Sequence, residues 1–263
     1  YARMLGRLMS TRRGIAVAGT HGKTTTTAMI GFILESSGCD PSYVVGGVVP
    51  ALEGSSGVGR GEWFVAEACE YDRNFLELWP EVAVLLNVEE DHLDYYRDLR
   101  EIVDTFDSFV QHVPPHGLVV CNGQDPNTMK AVADLGCAVQ TVGFRDDHDW
   151  QAIDREAAGG RYAFSVEHRG QSRGRVQLAI PGAHNVLNAL AAIAVCMEIG
   201  VEWDKCVEAL AAFRGVERRF QIVADTGGVV VVDDYAHHPT EIQATLNAAR
   251  EFFSGRRIWC LFQ

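Results

Sequence analysis

The stretch Gly19-Thr20-His21-Gly22-Lys23-Thr24-Thr25-Thr26, directly after the apolar run Gly14-Ile15-Ala16-Val17-Ala18, constrains the fold more than any other part of the chain. A short buried-strand pattern enters a glycine turn, then meets a lysine and hydroxyls, then a helical pattern through Ala28, Met29, Phe32 and Ile33. That order is what a phosphate-binding loop requires. Glycines at 19 and 22 let backbone N–H groups face a polyphosphate, and the helix N-terminus adds partial positive charge. Lys23 is placed to reach β- and γ-phosphates, and the Thr24 hydroxyl to ligate Mg²⁺. The common pattern wants glycine where this chain has Val17, so the loop is a shorter form that uses Gly19 instead. A chance Gly/Thr-rich turn is the plainer alternative, but it does not explain the ordered strand, loop, Lys-Thr and helix. The first expectation is nucleotide binding by Gly19, Thr20, His21, Gly22, Lys23, Thr24 and Thr25.

The 263 residues suffice for one large domain or one and a half. With 47% apolar and 22% charged residues the chain can bury a sizeable core. A net charge of −12 speaks against nucleic-acid or anionic-membrane partners, which favour a basic face. The seven cysteines show no C-x-x-C pair and no metal-ligand spacing, and read as free thiols of a reducing, cytoplasmic compartment. No apolar run approaches the ~18 residues of a membrane span, and residues 1–13 lack a signal peptide's apolar core. Tyr1 in place of Met, and a strand pattern running out at Gln263, read as a piece of something larger.

Through residue 145 apolar, β-rich runs alternate with helical patterns. Strands are expected at 14–18, 63–67, 82–88, 117–121 and 138–143, with a helix from Leu99 to Val110 among the intervening segments. Near-continuous apolar strands separated by helices imply an α/β fold, a mostly parallel sheet flanked by helices on both faces. From Gly159 to Ile180 the pattern changes to an antiparallel hairpin, followed by a long helix over 184–199. A second strand–helix unit begins near Val229, and a domain boundary is expected at Gly215, giving units 1–215 and 216–263.

Ligands of parallel sheets sit beyond the carboxyl ends of the strands. Glu67 ends the second predicted strand and is therefore expected beside the phosphate loop, where a carboxylate binds Mg²⁺ directly or through water. The plainer reading is an exposed acidic loop. His92, in Asn87-Val88-Glu89-Glu90-Asp91-His92, ends the third strand in the same way and is a candidate for a second metal ion or a phosphoryl oxygen. Asn185 and Asn188 share one face of a helix's first turn and suit an adenine edge, although N-capping by Asn185 is the reading that spacing alone favours. Arg219 lies at the boundary, where a guanidinium can swing onto a γ-phosphate, or be a solvated linker residue. Asp233-Asp234-Tyr235-Ala236-His237-His238-Pro239 follows a strand and reads as a ligand face.

Together GTHGKTTT (19–26), EACEYDRNFL (67–76), NVEEDHLDYY (87–96), GAHNVLNALAA (182–192), GVERRF (215–220) and DDYAHHPTEI (233–242) resemble the Mur ligases, the ATP-dependent amide-forming enzymes of peptidoglycan precursor synthesis. The motifs occur in family order from about residue 14 to the end. The resemblance implies a three-domain enzyme, of which this chain is the P-loop central domain and the start of a Rossmann-like C-terminal one. It further implies ATP and Mg²⁺, and, in the alanine-adding branch that Arg73-Asn74-Phe75-Leu76 favours, UDP-N-acetylmuramate and L-alanine as substrates joined through an acyl phosphate. By motif position Lys23, Glu67, His92 and Arg219 would be catalytic, with Thr24, Glu67 and His92 on metal. Asn185 and Asn188 would meet adenine, Asp234 the ribose, and His237 and His238 the amino-acid pocket. The nearest rivals are a murein-recycling tripeptide ligase and a nucleotide-binding module inactive as a ligase. The carbamylated lysine that several members use near His92 has no counterpart, because no lysine occurs between Lys23 and Lys130. Cys69 stands where an Asp is more familiar, and sulfur does not suit Mg²⁺.

Overall fold

The computed structural model describes residues 1–262. Helix α1 (Ala2–Met9) leads into β1 (Arg13–Ala18), the phosphate loop and α2 (Lys23–Ser36). There follow β2 (Ser42–Val49), β3 (Gly54–Gly57), β4 (Trp63–Glu67), β5 (Val82–Leu85), α3 (Leu99–Val110), β6 (Leu118–Asn122), α4 (Pro126–Ala131) and β7 (Ala138–Gly143). Strands β8 (Trp150–Ala158), β9 (Arg161–His168) and β10 (Gln171–Pro181) precede α5 (His184–Glu198) and α6 (Trp203–Ala212). The chain continues through β11 (Gln221–Thr226), β12 (Val229–Asp233) and α7 (Pro239–Phe252).

Strands β1 to β10 form one ten-stranded sheet in the order β10-β9-β8-β7-β6-β5-β1-β4-β2-β3. The pairs from β2 through β8 are parallel, and the two margins are antiparallel: β2 with β3, and β8 with β9 with β10. This is the mixed, mostly parallel α/β sheet expected. The period of two in β1 explains its continuous apolar run. Ile15 and Val17 enter the core under α2, α5 and α6, while Ala16 and Ala18 enter the one under α1 and α3, where Phe75, Phe106 and Phe109 fill the space. Strand β5 splits likewise, with Val82 and Val84 on one face and Ala83 and Leu85 on the other. Strands β11 and β12 pair antiparallel in a separate two-stranded sheet.

Three sequence expectations shift. The 82–88 run leaves the sheet after Leu85, because Asn87 is drawn into the phosphate loop. The hairpin expected over Gly159–Ile180 is a three-stranded meander that starts at Trp150, whose ring stacks on His168 with centroids 3.9 Å apart. Strand β2 was not expected at all; its Gly46-Gly47 pair interrupts the apolar pattern for a reason that lies in the site. Among the described residues no helix is long and apolar enough to cross a membrane.

Candidate functional site

The loop between β1 and α2 is shaped by two left-handed glycines, Gly19 at φ 136° and Gly22 at φ 81°. A side chain at Gly22 would be strained, and its Cβ would fall 2.7 Å from Asn188 Oδ1. Gly22 is also the N-cap of α2, with no side chain capping it and no acidic residue in the first turn. The N-terminal amides and the helix dipole are therefore left to an anion. The loop is braced by Asn87, whose Oδ1 accepts from His21 N–H at 2.7 Å and whose Nδ2 donates to His21 O at 3.1 Å.

Lys23 opens α2 and folds back under the loop. Its ammonium donates to Gly19 O at 2.6 Å and Thr20 O at 3.0 Å, and lies 2.9 Å from the Glu70 carboxylate. Glu70 is only 2% exposed, and the buried Tyr96 hydroxyl donates to its carbonyl. Thr24 Oγ1 donates to Glu67 Oε1 at 3.1 Å, and Glu67 Oε2 accepts from Gly46 N–H at 2.8 Å. A Cβ on Gly46 would lie 2.5 Å from that carboxylate, which is why β2 carries glycine there. His92, at φ 53°, belongs to a different group: its imidazole, Asp91 and Glu70 offer ligand atoms within 4.8 Å of one another. The residues expected on metal thus fall into a direct Thr24–Glu67 pair and a separate His92 group on the Glu70 side of Lys23.

Beside the loop opens a cleft of about 400 Å³ between α2, α5 and the entry to α7, within the size range of ligand sites. His21, Gly22, Thr24 and Thr25 line one wall, Asn185 and Asn188 a second, and Arg219 and Asp234 a third. Asn185 does not cap α5; its Nδ2 donates to Pro181 O at 2.7 Å, and its Oδ1 accepts from Asn188 Nδ2 at 3.0 Å. Both asparagines are at least nine-tenths buried with their shared face turned to the loop. Arg219 Nη2 reaches 3.5 Å from Thr24 Oγ1 and Nη1 3.7 Å from Glu241 Oε1. Asp234 accepts from Phe220 N–H and Ala236 N–H, both at 2.8 Å, and so pins the connection to β11 against the turn after β12.

His237 and His238 part company. His237 is exposed and faces away from the cleft, in a shallow groove with Phe262. His238 caps α7, accepting from Thr240 N–H at 3.3 Å, and places Nε2 3.0 Å from Glu90 O and its ring 4.4 Å from that of His21.

Sequence reasoning singled out neither Glu241, His184 nor Glu89. Glu241, in the first turn of α7, sits 3.4 Å from His21 Nδ1. Burial alone would raise its carboxyl, but His21, Arg219 and the His237 N–H outweigh burial and hold it at about 2. His184 lines the cleft, and desolvation lowers its imidazole below the ordinary range against the pull of Asp234 and Glu241. Each had a signal, being a polar residue inside a quoted motif, but nothing in sequence distance ties α7 to residue 21.

The donor set fits a magnesium-bound nucleoside triphosphate: uncapped amides, a lysine and an arginine for phosphates, and a hydroxyl–carboxylate pair of hard oxygens for the ion. The Mur ligase middle domain matches residues 17–196, and the Mur ligase glutamate ligase domain residues 218–263. A UDP-N-acetylmuramate–L-alanine ligase of Desulfitobacterium hafniense is 46% identical over 263 residues, covering 100% of this chain and 58% of that protein. One from Caldanaerobacter subterraneus is 45% identical over 264 residues, covering 100% and 57%. The chain therefore spans little more than half the length of these relatives. The crystal structure of UDP-N-acetylmuramate–alanine ligase from Thermotoga maritima superposes with a TM-score of 0.84 at 32% identity, over 96% of this chain and 57% of that one. That of a murein peptide ligase from Psychrobacter arcticus gives 0.79 at 32%, over 97% and 58%. The domain matches, spanning most of a chain whose loop, sheet and cleft have the form just described, show that it belongs to the Mur ligase family.

Proposed function

We propose that the protein carrying this chain is an ATP-dependent ligase that joins L-alanine to UDP-N-acetylmuramate, acting in the cytoplasm on peptidoglycan precursors. The observation that carries the reading is a cleft lined by Thr24, Arg219, Asn185 and Asn188, beside a loop that holds Lys23 beneath it and with Glu67 bonded to Thr24. The lactyl carboxylate attacks the γ-phosphate, ADP leaves, and the amine of alanine displaces phosphate from the acyl phosphate. Attack of one anion on another makes catalysis largely a matter of positioning and charge neutralisation. Lys23, released from Glu70, would pair with the phosphates, and Arg219 would reach the γ-phosphate from the C-terminal side. Thr24 and Glu67 would hold one Mg²⁺ and His92 a second, the ions supplying charge neutralisation at the phosphates. Asn185 and Asn188 would read the adenine edge, Asp234 would approach the ribose, and His238 would lie toward the amino-acid side. The first residues of the C-terminal unit, from 216 onward, would complete the site.

Names shared by relatives at 46% and 45% identity, and Arg73-Asn74-Phe75-Leu76 after the acidic motif, support alanine over a tripeptide. The test is phosphate release by a full-length protein containing this chain, with ATP, Mg²⁺ and UDP-N-acetylmuramate, comparing L-alanine with the tripeptide. Turnover with alanine, lost in Lys23→Ala, is expected. Turnover with the tripeptide alone would move the protein to the recycling branch, and none with either would remove the ligase reading. The 263-residue chain alone is expected to bind nucleotide without forming amide.

A further inference from the structure

We propose that His21, Glu89 and His238 form a binding site for a single divalent transition-metal ion, Zn²⁺ by its donor set, which staples the phosphate loop to the entry of α7. The three side chains come from three places: the loop before α2, the turn after β5 and the cap of α7. Their ligand atoms lie within 4.8 Å of one another. His21 Nε2 is 3.4 Å from Glu89 Oε2, and His238 Nδ1 is 3.9 Å from the same oxygen. Tetrahedral zinc with bonds of about 2.0–2.1 Å sets neighbouring donors roughly 3.4 Å apart, so a sub-ångström adjustment of the Glu89–His238 spacing brings that pair into register.

The surrounding groups orient the ligands as they do around zinc. His21 Nδ1 lies buried 3.4 Å from Glu241 Oε1 without a hydrogen bond to it, while Nε2 is turned to Glu89. His238 Nε2 lies 3.0 Å from Glu90 O, which assigns its proton to that nitrogen and leaves the Nδ1 lone pair facing Glu89. The lone pair now accepts the 3.3 Å bond from Thr240 N–H, a long contact that a metal ion would replace. Thr240 Oγ1 donates to Glu89 Oε2 at 2.6 Å and fixes the carboxylate. Two imidazoles with one carboxylate select zinc and its transition-metal neighbours over Mg²⁺, which prefers oxygen throughout. The site is thereby chemically distinct from the Thr24–Glu67 pair.

The test is competition for Zn²⁺ between the chain and a chromophoric chelator at neutral pH in millimolar Mg²⁺. One Zn²⁺ per chain is expected, with affinity falling at least ~10-fold in Glu89→Gln and in His238→Asn. Asparagine at 238 keeps the helix cap while removing the imidazole, so loss of binding there is separable from loss of α7; circular dichroism checks the fold of both variants. Replacing the exposed Cys69 and Cys260 by serine is expected to leave binding intact. Absence of stoichiometric Zn²⁺, retention of full affinity in both ligand variants, or loss of binding with the cysteines would each overturn the assignment.

Discussion

Two residues, Gly22 in the loop and Glu67 at the end of β4, carry constraints that substitutions can isolate. Gly22 combines a left-handed backbone with a Cβ direction occupied by Asn188, so Gly22→Ala is expected to destabilise the chain by about 1–2 kcal/mol and to weaken nucleotide binding together with it. Urea unfolding and calorimetric titration measure the two effects on one protein. Glu67 is held by the Thr24 hydroxyl and the Gly46 N–H, so Glu67→Gln should retain the fold and lose the Mg²⁺-dependent part of nucleotide affinity. Affinity measured with and without chelator separates that part from the rest, and an unchanged difference would contradict the role. These residues were legible in sequence because each lies at a strand end or helix start beside its own motif. Glu241 and Glu89 were not: an acid in a helix's first turn looks like a response to the dipole, and only the fold brings it to His21.

The central strands were readable because both faces of a parallel sheet are buried, which writes an unbroken apolar run into sequence. Strand β2 escaped notice because glycines at 46 and 47 are required by neighbours far along the chain, the Glu67 carboxylate and Val216. Gly46→Val would suit a strand by propensity, yet its Cβ meets Glu67 at 2.5 Å; nucleotide affinity should fall although the substitution lies outside the cleft. The start of the meander at Trp150 was hidden by the exposed, charged half of β8 beyond Asp154. Helix α3, packed on the sheet face opposite α2, supplies a control. Asp98 caps it by accepting from Glu101 N–H at 2.9 Å, so Asp98→Ala should cost about 1 kcal/mol in urea unfolding and leave nucleotide affinity unchanged.

Across the whole molecule, the cleft joins the ten-stranded sheet to the segment beyond Gly215, where Arg219, Asp234 and Glu241 arrive. We keep Gly215 as the proposed division between two units, since the second sheet begins after it and Asp234 ties the connecting turn down. All seven cysteines are free thiols. Cys121 is buried in the core, and burial pushes its thiol up to about 12, so at pH 8 a thiol reagent should modify exposed Cys260 and spare Cys121 until the chain unfolds. The account stands on one claim: nucleotide phosphates displace Glu70 from Lys23 and seat at the uncapped start of α2. Calorimetric titration of ATP with Mg²⁺ into the chain, beside its Lys23→Ala variant, tests that claim most directly. A single site whose affinity falls about 100-fold in the variant is the predicted result, the loss of one charge-assisted contact set. Equal affinity in the two proteins would place the nucleotide elsewhere and contradict the account.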